Sequence, residues 1–428
     1  MRHHHSSRRR GTALAGAAIA TGALVLAGCT PDGGTTDEND GASDGGPVEE
    51  QNLTVWHYFS ADNQVQLMDE YKELFESNNE GVTVENVFVP YDQMNSQLIT
   101  SASTESGPDV VVFNGAEAST LVLGDALAPL DDYWAGFEDA SEFPESVVHS
   151  LDDSAYAVQG YVNLLGLWYN ADILAEVGVE PPETMDELNT ALDAVVEAGY
   201  GGITLSGLPN SQGEWQAYPW LTSYGFSYED PQAQPLADAF TMIQDWTASG
   251  ALTAEAVTWD QTVPFQTWAA GDVAFAENGN WQIGTAETTA EFEYGVVPLP
   301  VGDTGKVYLG GEGQGVGAFS ENPDLAWQYL QETYYSQEGQ LLAAELVGSI
   351  PARADAAQDE VVTGNPLLEG FAATIENSGA NYPAPAVPPE AVADQQLEVG
   401  QVWSAVIGGQ ITPEEAAQSV IDTLSGLL

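Results

Sequence analysis

The sequence predicts an α/β fold built from doubly wound units. Strand-like and helix-like runs alternate from Leu53 onward, one run (Val110-Val111-Val112-Phe113) is apolar at every position, and later helices open on capping residues. Leu53-Thr54-Val55-Trp56 reads as the first strand. Leu67, Met68, Tyr71, Leu74 and Phe75 then recur at helical spacing. Val82, Val84, Val87 and Val89 suggest the next strand, and Met94, Leu98 and Ile99 a second helix. Val110 to Phe113 has no polar side, which is what a parallel strand covered on both faces requires. The opening folded stretch therefore reads β-α-β-α-β. Further along, Thr184-Met185-Asp186-Glu187 has the pattern of a capping box before Leu188, Leu192, Val195 and Val196, and Gly199 ends that helix. Thr412-Pro413-Glu414-Glu415 opens the last helix, whose apolar stripe is Val420, Ile421 and Leu424.

The segment before Leu53 is of another kind. Arg2, Arg8, Arg9 and Arg10 precede a small and apolar run from Thr12 to Ala27, which closes on Leu26-Ala27-Gly28-Cys29. A run of that length is short of the ~20 apolar residues of a membrane span and fits a secretory signal over residues 1–28. Leu-Ala-Gly-Cys resembles the lipobox of bacterial lipoproteins, in which the thiol takes a lipid and becomes the mature N-terminus. The triple arginine invites twin-arginine export, but Arg10-Gly11-Thr12 is not the apolar pair that such a motif carries, and the route stays open. Residues 29–51 are acidic and almost without apolar side chains, so they read as a flexible tether. Gly41-Ala42-Ser43-Asp44-Gly45 spells G-x-S-x-G there, without the strand and helix that a nucleophile elbow needs.

Charge narrows the function. The chain carries 65 Asp and Glu against 7 Lys and Arg. Four of those bases precede Cys29, leaving Lys72, Lys306 and Arg353 and a formal charge of −62 after it. Such a surface repels nucleic acid and anionic headgroups, so a lipid on Cys29 would do any anchoring. The 428 residues and 43 % hydrophobic content suffice for two or three domain-sized cores, with neither an internal repeat nor a second apolar span. With Cys29 the sole cysteine, stability rests on packing alone.

Enzyme readings find little support. His57 and His149 are the only histidines after Cys29, which excludes a histidine metal cluster, H-E-x-x-H and a free Cys nucleophile. Gly305-Lys306-Val307 lacks the spacing of a P-loop, and Gly311-Glu312-Gly313-Gln314-Gly315 is not a dinucleotide fingerprint. No cofactor or metal is expected. A secreted two-carboxylate glycoside hydrolase stays open, because carboxylates are everywhere.

Five stretches together resemble the extracellular solute-binding proteins of ABC importers, in the sugar-binding group that includes maltose-binding protein. They are Pro108-Asp109-Val110-Val111-Val112 with Gly124 to Leu130; Leu167-Trp168-Tyr169-Asn170 with Pro181 to Leu188; Phe265 to Gly271 with Asn278-Gly279-Asn280-Trp281; Tyr294 to Pro300; and Ile350-Pro351-Ala352-Arg353. The resemblance implies a two-lobed periplasmic-binding-protein-like fold of class II type, each lobe a doubly wound sheet flanked by helices, with hinge crossovers. It places the crossovers near Gln159–Tyr161, near Val297–Pro300 and near Ile350. One lobe would hold 52–159 plus 301–345, and the other 162–296 plus 351–428. It further implies a monomer that delivers a neutral mono- or oligosaccharide to an ABC permease, another polar or cationic solute being the alternative.

Sugars offer apolar C–H faces ringed by hydroxyls, so aromatic rings and amide or carboxylate groups are the residues to seek. In open α/β sheets they lie just past the carboxyl ends of strands. That rule selects His57, Tyr58 and Phe59, then Asn114 and Glu117. The resemblance adds Asn163 at the first crossover, Trp281 as a stacking ring, Glu214, Trp215 and Trp220 in the second lobe, and Glu312 in the glycine-rich Gly310-Gly311-Glu312-Gly313. Trp56, Trp168, Trp246, Trp327 and Trp403 read as core. Arg353 reads as half of a structural ion pair. The scarcity of bases points to a neutral or cationic ligand.

Overall fold

Two separate sheets carry the fold, and the chain passes between them three times. The computed structural model describes residues 50–427; Cys29, the expected leader and nearly all of the expected tether lie outside them. In chain order the strands are β1 (Gln51–His57), β2 (Val82–Phe88), β3 (Val110–Asn114), β4 (Val148–Leu151), β5 (Ser154–Val158), β6 (Tyr161–Val162), β7 (Leu165–Asn170), β8 (Gly201–Thr204), β9 (Val273–Gly279), β10 (Tyr294–Val297), β11 (Val307–Leu309), β12 (Glu312–Val316), β13 (Ile350–Pro351) and β14 (Gly379–Asn381).

The first sheet has the order β2-β1-β3-β12-β5-β4. β1 pairs in parallel with β2 and β3, and the helices Asp62–Asn78 and Met94–Ala102 make the connections between these strands that the alternating pattern calls for. β3 is covered on both faces: Val110 and Val112 pack into one apolar cluster, Val111 and Phe113 into another. β12, β5 and β4 are antiparallel additions. The second sheet, β10-β7-β9-β8, is also mixed, with β8 and β9 its parallel pair. β12 in the first sheet and β7 in the second arrive from the other lobe and run against their neighbours, while β4 and β5 form a hairpin within the first lobe.

The helix signals hold in detail. Thr184 Oγ1 accepts from the Glu187 amide while the Glu187 carboxylate accepts from the Thr184 amide, and Gly199 closes that helix at φ 95°. Thr412 and Glu415 repeat the reciprocal arrangement before Pro413–Leu427. Trp168, Trp246, Trp327 and Trp403 are buried in the cores, and Trp56 is half-buried. Among the described residues no helix is long and apolar enough to cross a membrane.

One boundary moves. Residues 301–309, expected in the first lobe, pack with the second: β11 pairs with β14, and Val301, Val307 and Tyr308 join the second-lobe core. The chain crosses only at Gly310–Glu312, where β12 joins the first sheet. Val307 and Tyr308 find apolar cover beneath the helix Ser211–Ser223, whereas the stretch Val301-Gly302-Asp303-Thr304-Gly305 has no period by which to place it. The three crossings are laced together by the β6–β13 pair and by a bridge between Asn163 and Gly310.

Candidate functional site

A cleft of about 720 Å³ opens between the lobes, within the range of small-molecule sites, which is about 300–1,000 Å³. The first lobe contributes groups from the carboxyl edge of its sheet. Tyr58 follows β1, Tyr91 follows β2 and Asn114 ends β3. Because β12 runs the other way, its first residue lies at the same edge, and Glu312 sits in register opposite Asn114. The second lobe contributes the starts of two helices, with Ser211, Gln212 and Trp215 on one and Gln261, Thr262 and Gln266 at the other. Trp281 and Gln282 come from the turn after β9, and Tyr382 from just past β14.

These side chains hold one another. Tyr58 Oη donates to Glu312 Oε1 at 2.9 Å, and Asn163 Nδ2 donates to Glu312 Oε2 at 3.1 Å. Asn114 Nδ2 donates to Tyr91 Oη at 2.7 Å, while Asn114 Oδ1 accepts from the Ala116 amide. The rings of Tyr58 and Tyr91 meet edge-on at 5.1 Å, and Tyr91 Oη comes within 3.5 Å of Ser211 Oγ on the opposite lobe. Trp281 lies over Gly279, where any Cβ would run into the indole ring. Burial pushes the Glu312 carboxyl and the Tyr58 phenol upward. Among the described residues, Asp62, Asp260 and Glu312 are the only charged groups that line the cleft, and no Lys, Arg or His does. Among the described residues no three His, Asp or Glu gather as a metal site.

Six of the residues selected from sequence therefore line the cleft: Tyr58, Asn114, Asn163, Trp215, Trp281 and Glu312. The others do not. His57 is buried, its Nδ1 accepts from the Phe59 amide, and burial lowers its pKa to about 4, so it is a neutral structural group. Phe59 packs in the first-lobe core. Glu117 is buried behind Asn114, with Oε2 lacking a hydrogen-bond partner. Trp220 is fully buried and donates Nε1 to Glu277 Oε2 at 2.7 Å. Glu214 is fully buried beneath Trp215. Tyr91 and Tyr382 were missed. The rule that picked Tyr58 and Asn114 reaches Tyr91 just past β2, whereas Tyr382 follows a three-residue strand with no sequence signal.

Residues 67–370 match the family of bacterial extracellular solute-binding proteins. The chain belongs to that family. The maltotriose-binding protein of Pyrococcus abyssi (strain GE5 / Orsay) is 22% identical over 376 residues, covering 83% of this chain and 76% of that protein. The melibiose/raffinose/stachyose-binding protein of Bacillus subtilis (strain 168) is 22% identical over 333 residues, covering 71% of this chain and 72% of that protein. Among solved structures, the GacH receptor of Streptomyces glaucescens, seen unliganded and with acarbose, matches at TM-score 0.78 and 24% identity, covering 89% of this chain and 99% of that one. At that identity the likeness speaks for the two-lobed fold. As a member of this family the chain is a ligand-binding protein of the extracytoplasmic side.

Proposed function

We propose that this protein captures a neutral carbohydrate in the inter-lobe cleft and hands it to an ABC permease. The observation that carries the reading is the lining itself: aromatic rings beside amides and, among the described residues, no cationic side chain. Trp281, Trp215 and Tyr58 supply faces for the C–H surfaces of a sugar, and Asn114, Asn163 and Glu312 take hydroxyls. Trp215 Nε1, buried and without a protein partner, is a further donor for a ligand oxygen. Kinship with proteins named for maltotriose and for melibiose, raffinose and stachyose supports the ligand class. Closure of the lobes around the ligand would present the shape that the permease recognises. Cys29, carrying a lipid, would tether the monomer to the outer face of the membrane, within reach of its transporter.

Calorimetry of the purified domain against maltotriose, raffinose, monosaccharides and cationic solutes tests the proposal. Saturable heat with one of the sugars and no product supports it. Binding of a cationic solute alone, or turnover of an aryl glycoside, overturns it. For the anchor, Cys29→Ser should move the protein from membranes to the medium; unchanged membrane retention refutes the lipid.

A further inference from the structure

Glu214 is fully buried in the second lobe, one residue before Trp215, and its carboxyl gathers three donors. Tyr308 Oη donates to Oε1 at 2.9 Å, Tyr228 Oη at 3.1 Å and Gln395 Nε2 at 3.2 Å, while Oε2 has no partner. Tyr308 is the centre of an aromatic stack. Its ring lies 3.6 Å from Tyr218 at an interplanar angle of 5°, 5.6 Å from Trp215 and 4.6 Å from Tyr382. Trp215 and Tyr382 meet edge-on at 4.6 Å, and both line the cleft. Tyr308 also sits two residues before Gly310, where the chain crosses between lobes and where a Cβ would strike the Trp215 ring.

We propose that Glu214 is a positioning residue of the cleft: without touching the ligand, its carboxyl fixes the Tyr308 ring against which Trp215 and Tyr382 are set. A carboxylate oxygen receiving three donors makes charge-assisted hydrogen bonds, about twice as strong as neutral ones. The protonated acid weakens them and places its own proton on Oε2, where no acceptor waits. Burial pushes this carboxyl up to about 7, so both forms are populated near neutral pH. The groups facing it are Tyr308 from β11, Tyr228 from the loop after its own helix and Gln395 from the helix Val392–Ile407. Tyr218 and Tyr382 stand in the surrounding stack, held neutral by burial, and the helix Ala233–Ser249 turns Trp246 toward this helix. Ionisation therefore firms the aromatic wall, and protonation loosens it.

This inference rests on the carbohydrate reading, and its test separates the two. Affinity for maltotriose is measured by calorimetry from pH 6 to pH 8 in the wild type, Glu214→Gln and Tyr308→Phe, alongside near-ultraviolet circular dichroism of each unliganded protein. The amide of Glu214→Gln mimics the protonated acid at every pH. Wild-type affinity should rise several-fold with pH, Glu214→Gln should stay at the low value throughout, and Tyr308→Phe should lose the rise. A wild-type affinity flat with pH, or a wild-type rise persisting in Glu214→Gln or Tyr308→Phe, overturns the proposal; if Glu214→Gln does not fold, Tyr308→Phe decides. If maltotriose does not bind, the dichroism decides alone. A step centred near pH 7 in the wild type that Glu214→Gln abolishes supports positioning, and its absence in the wild type refutes it.

Discussion

Asn280 Nδ2 donates to Asn163 Oδ1 at 2.9 Å, joining the turn after β9 to the first crossover. The same amide donates to Gly348 O at 2.8 Å beside the third crossover, and its Oδ1 accepts from the Leu164 amide at 2.8 Å. Asn163 in turn reaches Glu312 at the second. One fully buried side chain thus ties the hinge together. Asn280→Ala leaves several buried polar groups unmatched, each costing about 1–3 kcal/mol. Its thermal transition should fall by several degrees, and small-angle scattering should show a broader distribution of lobe openings than in the wild type.

Trp281 is only partly buried, and its ring faces the cleft over Gly279. Trp281→Ala should weaken sugar binding by about 30-fold or more, the loss of an aromatic face being on the order of 2–3 kcal/mol. The melting temperature of the unliganded protein should shift by only a degree or two. A collapse of that transition in scanning calorimetry would instead mark the ring as core.

Glu277 is fully buried, with Oε1 unpartnered and Oε2 accepting from Trp220 Nε1, and burial drives its carboxyl well above the ordinary range. The folded chain therefore keeps a proton that the unfolded chain releases near about pH 4.3. This contribution to stability is complete below that pH and is lost as pH rises toward the folded value. Glu277→Gln keeps the acceptor for Trp220 and removes the loss. Its melting temperature should exceed that of the wild type at pH 8 and match it near pH 4.

Arg353 is the base that an anionic ligand would call on as a clamp, yet it does not line the cleft and is committed elsewhere. It donates to both carboxylate oxygens of Asp355 at 2.9 and 2.8 Å, to Asp139 at 2.9 Å and to Tyr335 O at 2.9 Å. Arg353→Met should cost about 2–3 kcal/mol in chemical denaturation, since charged hydrogen bonds are lost and a buried carbonyl is stranded. Sugar affinity should stay within twofold. Asp355 is held below the usual carboxylate range by Arg353, so the wild type should lose this stabilisation as pH falls below about 4, and the variant should not.

The regular parts of the fold were readable because their signals are local. Period-2 and period-3.6 patterns placed β1, β2, β3 and their helices, and the caps at Thr184 and Thr412 are complete within four residues. Tyr58 and Asn114 were reachable because strand ends in an α/β sheet lead to the ligand edge. The second crossover was not. Val301 to Gly311 has no period, and its place depends on β14, about seventy residues later, and on the underside of the helix Ser211–Ser223.

Adjacent residues show the division most plainly. Composition and pattern alone established an α/β chain with a strongly acidic composition; that it holds a ligand came from the family resemblance, to which the scarcity of bases added the expectation of a neutral or cationic one. The same information could not separate Glu214 from Trp215, or Trp220 from Trp281. Successive residues on a helix point about 100° apart, and only the packing of that helix against Val392–Ile407 and β11 turned Trp215 into the cleft and Glu214 into the core. Burial then decided the chemistry, making the carboxyl expected to grip the ligand into the support of the ring beside it.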